Sequence, residues 1–85
     1  MAYTVRFKPL ALRQLEKLPR DLQKKLAGKI EALRDDPFPS SCKKMAAVPD
    51  AWRVRVGDYR IVYQVHQKIL LVIVLTVGHR KDVYR

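Results

Sequence analysis

The sequence has little cysteine, little histidine and no long apolar run, and each shortage excludes a class of protein. Its 85 residues contain one cysteine, Cys42, so no disulfide can form within the chain and a reducing compartment is expected. The only histidines, His66 and His79, do not give the ligand spacing of a zinc site. The longest apolar run, residues 69–75, is too short to span a bilayer, and no apolar signal segment opens the chain. We therefore expect a cytoplasmic protein with no metal, no cofactor and no membrane partner.

Acidic residues are also scarce, which gives the chain a strong positive charge. Eight Asp and Glu residues stand against 18 Lys and Arg, for a formal net charge of +10. From Lys43 onward the imbalance is steeper, with nine basic residues against three acidic ones. A chain of this length forms one domain, residues 1–85, with a modest core. Such a charge balance favours a nucleic acid or an acidic protein as partner.

The hydrophobic pattern is most regular between residues 51 and 65. Two alternating segments flank Gly57-Asp58, a pair suited to a tight turn, and together they predict a β-hairpin. Successive side chains of a strand point to opposite faces, so Arg53, Arg55 and Arg60 share one face. The apolar residues expected on the other face are Trp52, Val54, Val56, Tyr59, Ile61, Tyr63 and Val65. A strand needs no arginine for its own stability, so three on one face predict an anionic ligand.

Outside the hairpin, the sequence predicts a strand near the start of the chain, two helices after it, and a further strand that follows the hairpin. Residues 3–7 alternate as a strand, and leucines recur at helical spacing over residues 10–18. Asp21 is the expected N-cap of a second helix, which ends before Pro37. The expected apolar face of this helix consists of Leu22, Leu26, Ile30 and Leu33. Residues 38–50 are expected to be irregular, and residues 69–77, apolar on both faces, to form a central strand. The order β-α-α-β-β-β predicts an α+β two-layer sandwich, with a helical hairpin on a mostly antiparallel four-stranded sheet.

The motif Gly57-Asp58-Tyr59-Arg60-Ile61-Val62-Tyr63, followed by an apolar strand and Gly78-His79-Arg80, resembles the RelE/ParE superfamily of bacterial type II toxins. The first strand and the helical hairpin fit the same family, so the resemblance covers nearly the whole chain. RelE-like members cleave messenger RNA on the ribosome, whereas ParE-like members poison DNA gyrase. The resemblance implies a RelE-like endoribonuclease, with a ParE-like gyrase inhibitor without nuclease activity as the alternative. It also implies two partners: an acidic, RelB-like antitoxin, and the ribosomal A site with its messenger RNA.

The resemblance also assigns roles to individual residues. Arg60 and Arg80 match the family's arginines that stabilise the transition state, and Tyr84 matches its C-terminal tyrosine, a base or a stacking platform. Arginine stays charged and therefore clamps phosphate well but carries protons poorly. Cleavage by the RNA's own 2′-hydroxyl then needs no metal but needs the ribosome to orient the RNA. The further residues expected to contact RNA are Arg53, Arg55, Lys43, Lys44, Lys81 and His79.

Overall fold

Five strands and two helices make up the protein in the computed structural model, which describes residues 2–79. In chain order they are β1 (Thr4–Phe7), α1 (Pro9–Glu16), α2 (Arg20–Ala32), β2 (Lys43–Lys44), β3 (Ala51–Val56), β4 (Tyr59–His66) and β5 (Leu71–His79). The strands form one sheet in the order β1-β5-β4-β3-β2. β1 runs parallel to β5, and all other neighbours are antiparallel. The predicted α+β sandwich is therefore confirmed, and the expected central strand, β5, has a partner on each side.

The structure adds β2 to the four predicted strands. Lys43 pairs with Arg53 and Lys44 pairs with Trp52, inside the segment that was expected to be irregular throughout. A two-residue strand shows no alternation, and its only support is the partner strand that follows it in the chain. Local sequence therefore gives no signal for it.

Several other boundaries also differ from the sequence prediction. Asp21 is not the N-cap of α2: Pro19 holds that position, no side chain caps the helix, and Asp21 lies in its first turn. A carboxylate there still stabilises the helix through the macrodipole. β5 begins at Leu71 rather than at residue 69, because residues Gln67–Ile69 form a 3₁₀ turn. Within the described residues, no helix is long and apolar enough to cross a membrane.

Both helices cover the same face of the sheet, which we call the inner face. Between the layers lies a core whose members come from α1, α2 and its C-terminal turn, β3, β4 and β5: Ala11, Leu26, Ile30, Leu33, Val54, Ile61, Tyr63, Val65, Val72, Val74 and Val77. The predicted apolar faces of α2 and of the hairpin are both confirmed by this set and by the side chains packed against it. Neither helix covers the opposite face of the sheet, which we call the outer face.

Tyr63 is the largest fully buried side chain and ties the sheet to the loop that follows α2. Its hydroxyl donates a hydrogen bond to the carbonyl oxygen of Pro37 over 2.8 Å. Burial raises the pKa of Tyr63 well above its usual range, and the nearby Cys42 and Asp36 raise it further. The hydroxyl therefore stays protonated and keeps donating at any physiological pH.

Candidate functional site

Four basic side chains meet on the outer face of the sheet. The predicted hairpin turns at Gly57, whose φ of 60° suits glycine, and its register places Arg55 directly opposite Arg60. Arg53 lies opposite Val62 on one side and opposite Lys43 of β2 on the other. The three arginines predicted to share a face do share it, and β2 brings a lysine beside them.

These side chains line a cleft of about 250 Å³, which we call the arginine cleft. Its lining residues are Ser41, Lys43, Arg53, Arg55 and Arg60. Among the described residues that line it, none carries an acidic side chain. The Nε and Nη1 atoms of Arg60 are buried, so part of this positive charge is held away from water, where it acts more strongly on a ligand. The cleft is shaped and charged to hold an anion.

The pairing of Arg55 with Arg60 is unfavourable for the fold itself. Like charges placed directly opposite each other on an antiparallel pair destabilise the sheet. The Arg55 side chain is also anchored, because its Nε donates to the carbonyl oxygen of Gly57 over 3.0 Å. An anion bound between these two positive charges would reduce their repulsion.

The two lysines of β2 point to opposite faces, although both were predicted to contact RNA. Lys43 lines the arginine cleft. Lys44 pairs with Trp52, and its Nζ lies 5.9 Å from the centre of the Trp52 ring, on the inner face. Trp52 in turn packs edge-on against Phe38, with ring centroids 4.9 Å apart. The structure therefore brings Lys43 into the site and leaves Lys44 outside the cleft.

The remaining predicted residues are His79, at the end of β5, and three residues that follow it in the sequence. The His79 ring makes an edge-on contact with the ring of Tyr59, with centroids 5.6 Å apart, and Tyr59 packs against the core. His79 therefore lies on the inner face, away from the arginine cleft. Gly78 is the residue opposite Arg60, and it places no side chain beside the guanidinium. The predicted residues Arg80, Lys81 and Tyr84 lie outside the described part of the chain.

Ser41 is the lining residue that the sequence analysis missed. It comes from the loop before β2, and it reaches the cleft only because β2 pairs with β3. A serine in a proline-containing loop carries no signal of its own for such a position. Its hydroxyl adds a neutral donor and acceptor to the four cations.

The chemistry that the cleft can perform follows from its side chains. Guanidinium groups remain protonated at all physiological pH values and bind phosphate oxygens through paired N–H donors. The cleft can therefore stabilise charge that develops on a phosphate, but its arginines cannot move a proton. Within residues 2–79, no group of three or more His, Cys, Asp or Glu side chains is placed to hold a metal ion.

Comparison with known proteins agrees with this fold. The family model for the ParE toxin of the type II toxin–antitoxin system parDE matches residues 5–84. A putative RelE-like toxin protein of Escherichia coli is 34% identical over 99% of this chain and 92% of its own length. The mRNA interferase toxin RelE of Escherichia coli strain K12 is 30% identical over 95% and 86%, respectively. A chain of the archaeal RelE–RelB complex from Pyrococcus horikoshii OT3 aligns with a TM-score of 0.83 and 25% identity, over 96% of this chain and 99% of that one. The chain therefore belongs to the RelE/ParE superfamily of type II toxins, in its RelE-like branch.

Proposed function

We propose that this protein is an mRNA interferase, a toxin that cleaves messenger RNA on the ribosome and so stops translation. The observation that carries the proposal is the arginine cleft, which gathers four cations on a sheet face that the fold does not need to be basic. The name and activity of its relative RelE support the same reaction. The family model carries the ParE name, but the RelE-named relatives favour RNA over DNA gyrase as the target.

The proposed reaction uses the RNA's own 2′-hydroxyl as nucleophile. That oxygen attacks the adjacent phosphorus and gives up its proton to water, and the bond to the 5′-oxygen breaks. The leaving oxygen takes up a proton from water, so a 2′,3′-cyclic phosphate and a free 5′-hydroxyl result. Negative charge grows on the two non-bridging oxygens, and Arg60, flanked by Arg53 and Arg55, lies where a bound phosphate would meet it. Preorganised donors of this kind stabilise the transition state without having to reorganise. Arg80 is proposed to add a further charge, and Tyr84 to stack on the exposed base.

We propose that cleavage depends on the ribosome and needs no metal ion. The cationic side chains supply the charge stabilisation that a metal would otherwise provide. The described cleft pairs no acid with a base, so the rate has to come from holding the 2′-hydroxyl, phosphorus and leaving oxygen in line. The ribosomal A site is the partner proposed to impose that geometry on the messenger.

A cell-free translation extract tests the activity, with the ends of the RNA mapped after the reaction. The wild-type protein should cut ribosome-bound messenger and leave naked RNA nearly intact. Arg60→Ala should lower the cleavage rate by about 10²–10³-fold, because a preorganised charged donor is lost. Arg13→Ala, which removes an exposed arginine of α1, is the matched control and should cut normally. If the messenger stays intact and DNA gyrase loses its supercoiling activity, the protein is a gyrase inhibitor instead.

We further propose that an acidic, RelB-like antitoxin holds the protein inactive. The net charge of +10 and the anion-binding cleft favour a partner of opposite charge. The structural relative was solved as a complex of RelE with RelB. Adding the cognate antitoxin to the same extract should restore translation at low salt and do so less well at high salt. Restoration that does not respond to salt would contradict an electrostatic mode of binding.

A further inference from the structure

β5 contains one more residue than its pairing with β4 requires. Val62 pairs with Thr76 and Tyr63 pairs with Val74, so Leu75 has no partner in β4 and forms a β-bulge. The core shows the same irregularity, because Val74 and Val77 are both buried although they are three residues apart. The bulge therefore shifts the alternation of β5 by one residue halfway along the strand.

Gln14 of α1 makes hydrogen bonds to Thr76 and Val77, the two residues that follow the bulge. β1 ends at Phe7, which pairs with Val74, so the edge of β5 beyond that point faces α1 rather than a strand. There the Oε1 atom of Gln14 accepts a hydrogen bond from the backbone N–H of Val77 over 2.7 Å and another from the Thr76 hydroxyl over 2.9 Å. One amide oxygen has two lone pairs, so Gln14 satisfies both donors at once.

The bulge decides what lies next to Arg60. In the observed register Gly78 is opposite Arg60, and Val77 packs opposite Ile61 in the core. If Leu75 paired with Val62 instead of bulging, the regular ladder that continues from Tyr63 and Val74 would bring Val77 opposite Arg60. A branched side chain would then stand beside the guanidinium on the outer face, since a one-residue slip moves every side chain to the other face. The room around Arg60 thus depends on the geometry at Thr76 and Val77.

We propose that Gln14 is a positioning residue for RNA cleavage, although it lies on a helix and lines no part of the arginine cleft. Its two hydrogen bonds fix the backbone at Thr76 and Val77, next to the bulge. The bulge in turn keeps Gly78, which has no side chain, opposite Arg60. This proposal rests on the proposed endoribonuclease activity, because its functional readout is the rate of cleavage.

Three variants of the full chain separate positioning from general stabilisation. Gln14→Met keeps the length of the side chain and removes the acceptor oxygen, whereas Gln14→Glu keeps an acceptor for both donors. Gln23→Met is the matched control, since the Nε2 of Gln23 also makes two hydrogen bonds, to the carbonyl oxygens of Glu16 and Leu18. Those bonds join the two helices and do not touch β5. Each variant is assayed on ribosome-bound messenger well below its unfolding temperature, and backbone amide exchange is measured at Val77.

The expected result is specific to the Gln14 position. Gln14→Met should lower kcat by about 10–100-fold with little change in KM, because small misplacements at a reacting centre have effects of that size. It should also speed exchange at the Val77 amide, and Gln14→Glu should restore both properties. Gln23→Met should unfold more easily yet cleave normally. Equal rates for Gln14→Met and Gln23→Met, or no rescue by Gln14→Glu, would overturn the proposal. Wild-type protein that makes no cuts would instead overturn the endoribonuclease function, and the exchange measurement would still test the Gln14 contact.

Discussion

The two neighbouring lysines of β2 provide the sharpest test of where RNA binds. Lys43 and Lys44 have the same side chain, lie in the same strand and are both exposed, but only Lys43 lines the arginine cleft. Lys44 lies over the Trp52 ring on the other face. If RNA occupies the cleft, Lys43→Ala should change how binding responds to salt, and Lys44→Ala should not.

The size of the effect follows from the number of charges in the cleft. Each phosphate contact on single-stranded nucleic acid adds about −0.7 to the slope of log K against log salt concentration. The four cations of the cleft then contribute about −2.8, or about a 50-fold loss of affinity between 50 and 200 mM salt. Removing Lys43 should make the slope shallower by about 0.7. Other basic residues of the chain contribute to the total slope equally in both variants, so the difference between the variants isolates the cleft.

Fluorescence anisotropy measures this slope on a short RNA whose 2′-hydroxyls are methylated, so that it binds without being cut. The affinity of the wild-type protein and of both variants is recorded over a series of salt concentrations. The reasoning is refuted if Lys44→Ala flattens the slope as much as Lys43→Ala does. It is equally refuted if neither variant changes the slope while both remain folded.

The further predictions concern two tyrosines with different roles. Tyr63→Phe should lower the free energy of unfolding by about 1–3 kcal/mol, because the carbonyl of Pro37 loses its buried partner. Calorimetry should show the melting temperature falling by about 4–8 °C for each kcal/mol, with cleavage per folded molecule unchanged. Burial raises the pKa of Tyr63, so above pH 10 the unfolded chain releases this proton while the folded protein keeps it. Stability of the wild type should therefore fall as pH rises past 10, and denaturant titrations should show a smaller fall for Tyr63→Phe. Tyr84→Phe should retain most cleavage and Tyr84→Ala lose most of it, since a stacked base is worth about 1–3 kcal/mol. Equal loss in both would assign the role to the hydroxyl.

The faces of the hairpin could be predicted from sequence because strand periodicity depends on nothing outside the strand. Arg53, Arg55 and Arg60 alternate with apolar residues, and this pattern alone placed them together, opposite the core. The same reasoning predicted the inward face of α2 and the central place of β5. Each of these inferences used a repeating local pattern.

The features that sequence did not predict depend on contacts between separate segments of the chain. Lys43 and Lys44 lie on opposite faces of the sheet because β2 pairs with β3. A two-residue strand has no alternating pattern from which these faces could be predicted. The bulge at Leu75 is hidden in a run of apolar residues that looks the same with or without it. Gln14 is an ordinary helical glutamine until the fold brings it to β5.

The parallel pairing of β1 with β5 has a consequence for how this protein is made. Residues 4–7 are synthesised early, but their partners are residues 71–74, and β5 also separates β1 from the rest of the sheet. Because contacts between such distant segments form late, the nascent chain has no complete sheet until nearly all of the domain has been translated. The hairpin that carries Arg55 and Arg60 is likewise without its β5 neighbour until then. A protein proposed to attack ribosomes therefore has no complete sheet beside Arg60 until the segment that forms β5 has been translated.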